Sequence, residues 1–342
     1  MKKKIKVAII DSGINYKTNL FQLVSEGLCI QYDNEYMIYN MNYNDFNGHG
    51  TYCAEIIRRF CPEVEFVIIK ILNEQKKGSA QSLIEALRYL ESHRVDIVNM
   101  SLATQNLEYV IDLQKICNKL VEDGVILVSS LANHYDNSYP AVFKSVIGVK
   151  GRMGLSEKEY IYQQKETIQC QGSNIPVLVN DLDGTYTFFG GNSKATANFV
   201  GIIASMISNV EYDCLAELEN QLVSNSLNIN DSRDEGNFQI DIYKKNSISS
   251  ELLNDSDFYR LYEIIQDSFN IPKSRSKLIM RYSLLNPVFE VDKKVYGELI
   301  KAIEKEWGIF FHQEMVTLSA FQSIENLYGL LKGILKNEFD KK

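Results

Sequence analysis

Through its first two hundred residues the chain alternates short apolar runs with longer stretches in which apolar residues recur at helical spacing. Lys6 to Ile10 is a short buried strand, and Glu65 to Leu72 is a second. Between them, Thr51 to Phe60 sets Ala54 and Ile57 on one helical face, and Gln81 to Ser92 does the same with Leu83, Ile84, Leu87 and Leu90. Asp96 to Leu102, Tyr109 to Asp123, Val125 to Ser130 and Ser145 to Val149 continue the alternation, and Ala197 to Ile207 is an apolar helix. Strand, helix, strand repetition predicts an α/β fold with a mostly parallel sheet flanked by helices. Ligands of such sheets sit at the carboxyl ends of strands, where Asp11 directly follows the first one.

The pattern then changes. Glu211 to Ser250 is polar, with the run Asn228 to Asn237 at its centre, and reads as a last helix followed by a linker. Beyond it, Phe258 to Phe269 has helical spacing through Leu261, Ile264 and Ile265. Val295 to Trp307 repeats it through Leu299, Ile300 and Ile303, and Ser323 to Leu335 makes a third amphipathic helix. The expected organisation is a first domain over 1–215, a final helix and linker over 216–250, and a small helical bundle over 251–342.

Composition narrows the function classes. At 342 residues, 45% hydrophobic and 23% charged, the chain is of globular type. It has no run approaching the roughly 18 apolar residues of a membrane span. A net charge of −8 argues against a nucleic-acid-binding face, and Lys2, Lys3, Lys4 and Lys6 read as a solvated chain start. The apolar run behind those lysines, Val7 to Ile10, is shorter than the about 7 to 15 residues of a secretion signal. Six scattered cysteines (Cys29, Cys53, Cys61, Cys117, Cys170 and Cys214) show no metal-ligand spacing and read as reduced thiols. The expectation is a cytoplasmic protein that needs no cofactor and no metal, and that binds neither nucleic acid nor membrane.

Candidate chemistry lies in three places. Gly190-Gly191-Asn192-Ser193-Lys194-Ala195-Thr196-Ala197 presents a serine on a small-residue turn that feeds the apolar helix, where it could equally be a helix cap. Upstream, Val7 to Gly13 carries Asp11, readable alone as a turn former, and Asn47-Gly48-His49-Gly50-Thr51 sets His49 between two glycines. A serine hydroxyl is a weak nucleophile until a base lies within hydrogen-bond reach and a buried carboxylate fixes that base's tautomer. Asp, His and Ser in that order along a chain is one of the known arrangements of such a triad.

Together the three motifs resemble the subtilisin-like serine protease family, through Val7 to Ile14, Asn47 to Cys53 and Gly191 to Ala197. The resemblance implies that Asp11 orients His49, that His49 is general base and then acid, and that Ser193 attacks the scissile carbonyl. It implies two substrate-flanking strands, one at Asn99-Met100-Ser101-Leu102 with Ala103 after it, the other at Lys70-Ile71-Leu72 followed by Gly78 and Ser79. It also implies Asn133 as oxyanion-hole donor, although Ala132 replaces the glycine that usually precedes it and would be strained at positive φ. Lys194 and Thr196 depart from the family's usual neighbours of the serine, and Lys194 is expected to alter the leaving-group side of the cleft. Asp11 stands ten residues after the first, so a pro-segment ahead of it is not expected. No calcium-loop spacing is present.

The tail resembles an acyl-carrier domain, in Glu298 to Ile309 and again in Ser319 to Leu331. Asp292 and Lys293 stand where carriers have the Asp-Ser pair that takes phosphopantetheine, so the resemblance implies a docking module without a swinging arm. A subtilisin-like enzyme with a carrier-like tail resembles bacterial machinery for maturing ribosomally made peptides. The expected function is a serine endopeptidase acting on a peptide or protein substrate such as a precursor's leader, with residues 251–342 engaging the precursor or maturation enzymes. The alternative is a catalytically weak, protease-like scaffold or binding protein in the same kind of pathway.

Overall fold

The computed structural model describes residues 3–339 apart from 34, 134, 136, 211–214, 230–240, 244, 247, 249–251 and 313–315. Lys2, Cys214 and most of the polar run Asn228 to Asn237 therefore lie outside the described residues. The chain divides into two compact units, Met1–Ile175 with Gly190–Glu235, and Pro176–Phe189 with Gly236–Lys342.

The first unit is built on a nine-stranded sheet. Its strands are β1 (Lys6–Asp11), β2 (Val24–Asp33), β3 (Tyr36–Asn40), β4 (Glu65–Lys70), β5 (Ile97–Met100), β6 (Ile126–Ser130), β7 (Ile147–Arg152), β8 (Tyr160–Tyr162) and β9 (Cys170–Ser173), in the order β3-β2-β4-β1-β5-β6-β7-β9-β8. The seven inner strands are parallel, and β3 and β8 close the edges antiparallel. Parallel strands covered on both faces must be apolar throughout, which is why β1 and β4 read as unbroken hydrophobic runs. Ala8, Ile10, Val67, Ile69, Val98 and Met100 face the helices α2 (Ala80–Ser92) and α3 (Val110–Glu122), meeting Leu83, Leu87, Leu113 and Cys117. The helices α1 (His49–Phe60) and α4 (Gly191–Asn209) pack on one another, burying Ile56, Ile57, Phe199 and Val200. A further helix, α5 (Leu215–Asn225), is the last element of this unit among the described residues, and the Tyr160 carbonyl accepts the Leu227 amide beyond it.

Two differences from the sequence reading bear on function. The expected helix Ala197 to Ile207 begins at Gly191, so Ser193 sits in its first turn. The N-terminal lysines are also not merely solvated. Lys3 pairs with Asp96, and Lys4 and Lys6 pair with Glu65, because the chain start lies over the first residues of β4 and the loop before β5. Strands β2 and β3 carried no clear sequence signal, since β3 is an exposed edge strand with little apolar alternation.

The second unit holds α6 (Ser256–Ser268), the short α7 (Leu278–Arg281), α8 (Lys294–Trp307) and α9 (Ile324–Phe339), with a hairpin of β10 (Val177–Asn180) and β11 (Tyr186–Phe189). Its core joins Phe258, Leu261, Ile265, Leu299, Ile303 and Leu327 to Leu178 and Tyr186 of the hairpin. Gly297 is required there, because a Cβ would fall 1.9 Å from the Tyr186 carbonyl oxygen. The sequence reading assigns Val177–Phe189 to the first domain and gives the tail helices alone. The structure groups the hairpin with those helices because Leu178 of one strand and Tyr186 of the other are buried in the tail's core.

Candidate active site

Strand β1 ends by delivering Asp11, fully buried, beneath the first turn of α1. Gly50 lets the two segments meet, since a Cβ there would lie 2.3 Å from the Gly13 carbonyl and 3.2 Å from the Asp11 Cβ. His49 thereby places Nδ1 2.8 and 2.9 Å from the two Asp11 carboxylate oxygens. A carboxylate can only accept, so the proton stays on Nδ1 and donates to Asp11, which leaves Nε2 as the ring's acceptor. Asp11 also accepts the Ser12 amide at 2.7 Å, and the Ser12 hydroxyl accepts the Gly50 amide at 2.9 Å, so the pair is fixed from both segments.

The loop before His49 is clamped by Asp45, a buried residue that sequence reasoning missed. Its carboxylate accepts the amides of Asn47, Gly48 and Thr51 and the Thr51 hydroxyl at 2.7 Å, satisfying donors that a helix N-terminus otherwise leaves open. An aspartate a few residues ahead of a helix is the available signal for such a clamp.

Ser193 and His49 line one cavity of about 540 Å³ together with Asn133, Gly78, Ser101, Leu102 and Ala103. Every residue expected to bind substrate or stabilise an oxyanion is thus brought to the same cleft as the serine and histidine. Ser193 Oγ donates to the Ser101 carbonyl at 3.4 Å, and the Ser101 hydroxyl donates to the Ser193 carbonyl at 3.3 Å, tying the serine turn to the strand beside it. Asn192 was also missed. Its side chain accepts the Gly151 amide at 2.8 Å and donates to the Leu131 carbonyl at 2.9 Å, joining the serine turn to the loop that carries Asn133.

Two expected departures resolve differently. Lys194 does not reach the cleft. It is fully buried, with Nζ 3.3 Å from Glu157 and 3.4 Å from the Ser173 hydroxyl, and burial depresses its pKa against the pull of Glu157. Ala132 is not among the residues at positive φ, so the strain foreseen there is absent. Thr196 spends its hydroxyl on the Asn192 carbonyl at 2.8 Å, inside the helix.

Cys53, one turn after His49, completes a buried trio with it and Asp11 whose potential ligand atoms lie within 4.8 Å of one another. Burial, and then the Asp11 charge, push that thiol well above its ordinary range, so it stands beside the pair as a neutral group. The other described cysteines, Cys29, Cys61, Cys117 and Cys170, are buried and form no disulfide. No helix among the described residues is long and apolar enough to cross a membrane. A serine, a histidine held by a buried carboxylate, and a carboxamide in one cleft are the groups that nucleophilic acyl transfer requires.

The comparisons with known proteins agree on the first unit. A family model described as the subtilase family matches residues 2–240. The chain is 26% identical over 239 residues to the minor extracellular protease Epr of Bacillus subtilis (strain 168), covering 66% of this chain and 36% of that protein. It is 26% identical over 217 residues to an intracellular serine protease of Paenibacillus polymyxa, covering 57% of this chain and 66% of the relative. The chain thus spans less than two thirds of the length of these curated relatives. Among solved structures, a lanthipeptide protease superposes with a TM-score of 0.51 at 18% identity, over 63% of this chain and 78% of the other.

Proposed function

Because the chain belongs to the subtilase family, we propose that it is a serine endopeptidase working through Asp11, His49 and Ser193. The observation that carries this reading is the buried Asp11–His49 pair at 2.8 Å opening onto the cavity that Ser193 lines. In this mechanism a peptide enters as an added strand between the segments at Gly78 and at Ser101 to Ala103. His49 Nε2 takes the Ser193 hydroxyl proton as Oγ bonds to the scissile carbonyl carbon, and Asp11 stabilises the imidazolium that forms. The Asn133 amide donates to the developing oxyanion. His49 then protonates the leaving amine, the acyl-enzyme remains on Ser193, and water deprotonated by His49 releases the acid.

The substrate we propose is narrow, such as the leader of a ribosomally made precursor peptide. The likeness in fold to a protein titled a lanthipeptide protease supports this choice. The C-terminal unit, whose helices resemble an acyl carrier in sequence, would dock the precursor or a maturation enzyme, without a swinging arm because Lys293 stands where the modified serine would be. Buried cysteines that form no disulfide favour a reducing, cytoplasmic setting.

Fluorophosphonate labelling tests the chemistry. The wild-type protein is expected to label covalently, and Ser193→Ala to fold normally yet neither label nor turn over. A folded wild type that stays unlabelled sinks the enzyme reading in favour of a protease-shaped scaffold. Comparing casein with candidate precursor peptides tests the substrate class, and efficient casein digestion would count against a narrow role.

A further inference from the structure

The wall of the cleft opposite Ser101 to Ala103 ends in Lys76 and Lys77, both exposed and both lining the cavity that holds His49 and Ser193. Among the described residues they are, apart from His49, the only titratable groups that line it, and no described carboxylate does so. Neither lysine makes an ion pair among the described residues. Glu74, the nearest carboxylate in sequence, lines a separate cavity with Lys70. Two unpaired ammonium groups at the rim of a cleft are unexpected on a chain of net charge −8.

The loop that carries them is held in shape. The Asn73 side chain accepts the amides of Gln75 and Lys77 at 2.9 and 3.0 Å, and the Asn73 amide donates to the Lys77 carbonyl at 2.9 Å. The closure forces Lys76 to φ 61°, a left-handed conformation that glycine or asparagine adopts at less cost. A long cationic side chain therefore occupies a place where backbone preference alone favours a smaller residue. The Lys76 charge is felt as far as the Cys53 thiol, one turn from His49, where it opposes the upward push of burial. Lys76 thus lies within electrostatic reach of the reacting groups, and a peptide in the cleft would pass beside both ammonium groups.

We propose that Lys76 and Lys77 make this cleft selective for peptides carrying an aspartate or glutamate side chain next to the scissile bond. The inference rests on the protease reading for the use of the cleft, but the selectivity itself is a property of binding. A carboxylate supplied by the substrate would be the missing partner of the two lysines. The effect is modest per exposed pair, and salt weakens it.

The test uses the full chain and matched peptides that place Glu, Gln or Lys at each position near the scissile bond in turn. At one position, wild type is expected to favour Glu over Gln by about fivefold in kcat/KM, the upper end for one exposed ion pair, and to disfavour Lys further. The preference should shrink at about 1 M salt, where the screening length falls to ~3 Å. The double variant K76E/K77E should reverse it towards Lys, and the neutral pair K76Q/K77Q, which adds no carboxylate to the loop, should abolish it. The same peptides titrated into S193A protein read the preference as Kd ratios, independently of turnover. If wild type labels with fluorophosphonate but cleaves and binds the Glu and Gln peptides equally at every position, the selectivity is refuted and the protease reading stands. If it does not label, the protease reading fails, and the Kd ratios still decide the charge preference.

Discussion

Asn133 lies at the cleft on the loop after β6, which Asn192 ties to the serine turn through the Leu131 carbonyl. If its amide donates to the oxyanion only in the transition state, Asn133→Ala should lower kcat by about 10² to 10³ with KM little changed. Subtilisin, a member of the same family, itself supplies that magnitude. Equal loss in KM, or unchanged kcat, in steady-state assays would remove Asn133 from the mechanism. At this scale the placement of the candidate residues was legible wherever the sequence sets an unusual residue in an unusual setting. Asp11 at a strand end, His49 between glycines and Ser193 on a glycine turn are such cases. The residues that aim them were not legible, because an aspartate or asparagine in a loop is common whatever it does. Only coordinates distinguish Asp45, which satisfies four donors around the His49 turn, from an ordinary loop aspartate. Lys194 shows the opposite error. Its neighbour Ser193 faces the cleft, but one residue along a helix turns the side chain by about 100°, and the lysine ends buried against Glu157.

Among the elements, the pairing of β1 with β4 matters most for the site, because β1 delivers Asp11. Lys6 stands opposite Glu65 in that pairing, and Glu65 also binds Lys4 at 2.8 Å. Hydrogen bonding first to Lys4 and then to Ser25 lowers the Glu65 carboxyl from 4.5 to about 2. A carboxyl depressed by folding adds stability that is fully present above its unfolded value, near 4.5, and is lost as pH falls towards about 2. Because the Lys4 side chain is 64% exposed, screening reduces the contribution to ~1 kcal/mol. Glu65→Gln is therefore expected to be less stable than wild type by about 1 kcal/mol at neutral pH, with the difference shrinking below about 4.5 and vanishing as pH falls through about 2. Urea denaturation across that range checks it, and a difference independent of pH would show that the ion pairs are not its source. The inner strands and covering helices were readable because a parallel sheet imposes long apolar runs and the helices a 3.6-residue period. The edge strand β3 and the β2 it pairs with were not, since an exposed antiparallel edge needs no such pattern.

On the scale of the whole chain, the C-terminal unit is not a simple appendage. The hairpin β10–β11 leaves the first unit at Pro176 and returns at Gly190, three residues before Ser193, having packed Leu178 and Tyr186 into the core of the C-terminal helices. Within that core the Tyr186 hydroxyl donates to Glu304 at 3.1 Å, and Lys301 lies 4.0 Å from the centre of the Tyr186 ring. Sequence period could not reveal this, because a four-residue strand shows only its local alternation and not the core that receives it. The connectivity predicts that loss of the second unit's packing reaches Ser193. Gly297→Val places a branched side chain where even a Cβ would overlap the Tyr186 carbonyl, so it should dislodge the hairpin or unfold the unit. If the hairpin helps to hold the Ser193 turn, fluorophosphonate labelling should fall together with the thermal stability of the C-terminal unit, although no substituted residue touches the cleft. A chain ending at residue 250, which leaves the hairpin's apolar residues without their core, should label still less or aggregate. Full labelling by either protein would show instead that the first unit folds around Ser193 unaided, and that the second serves substrate docking alone.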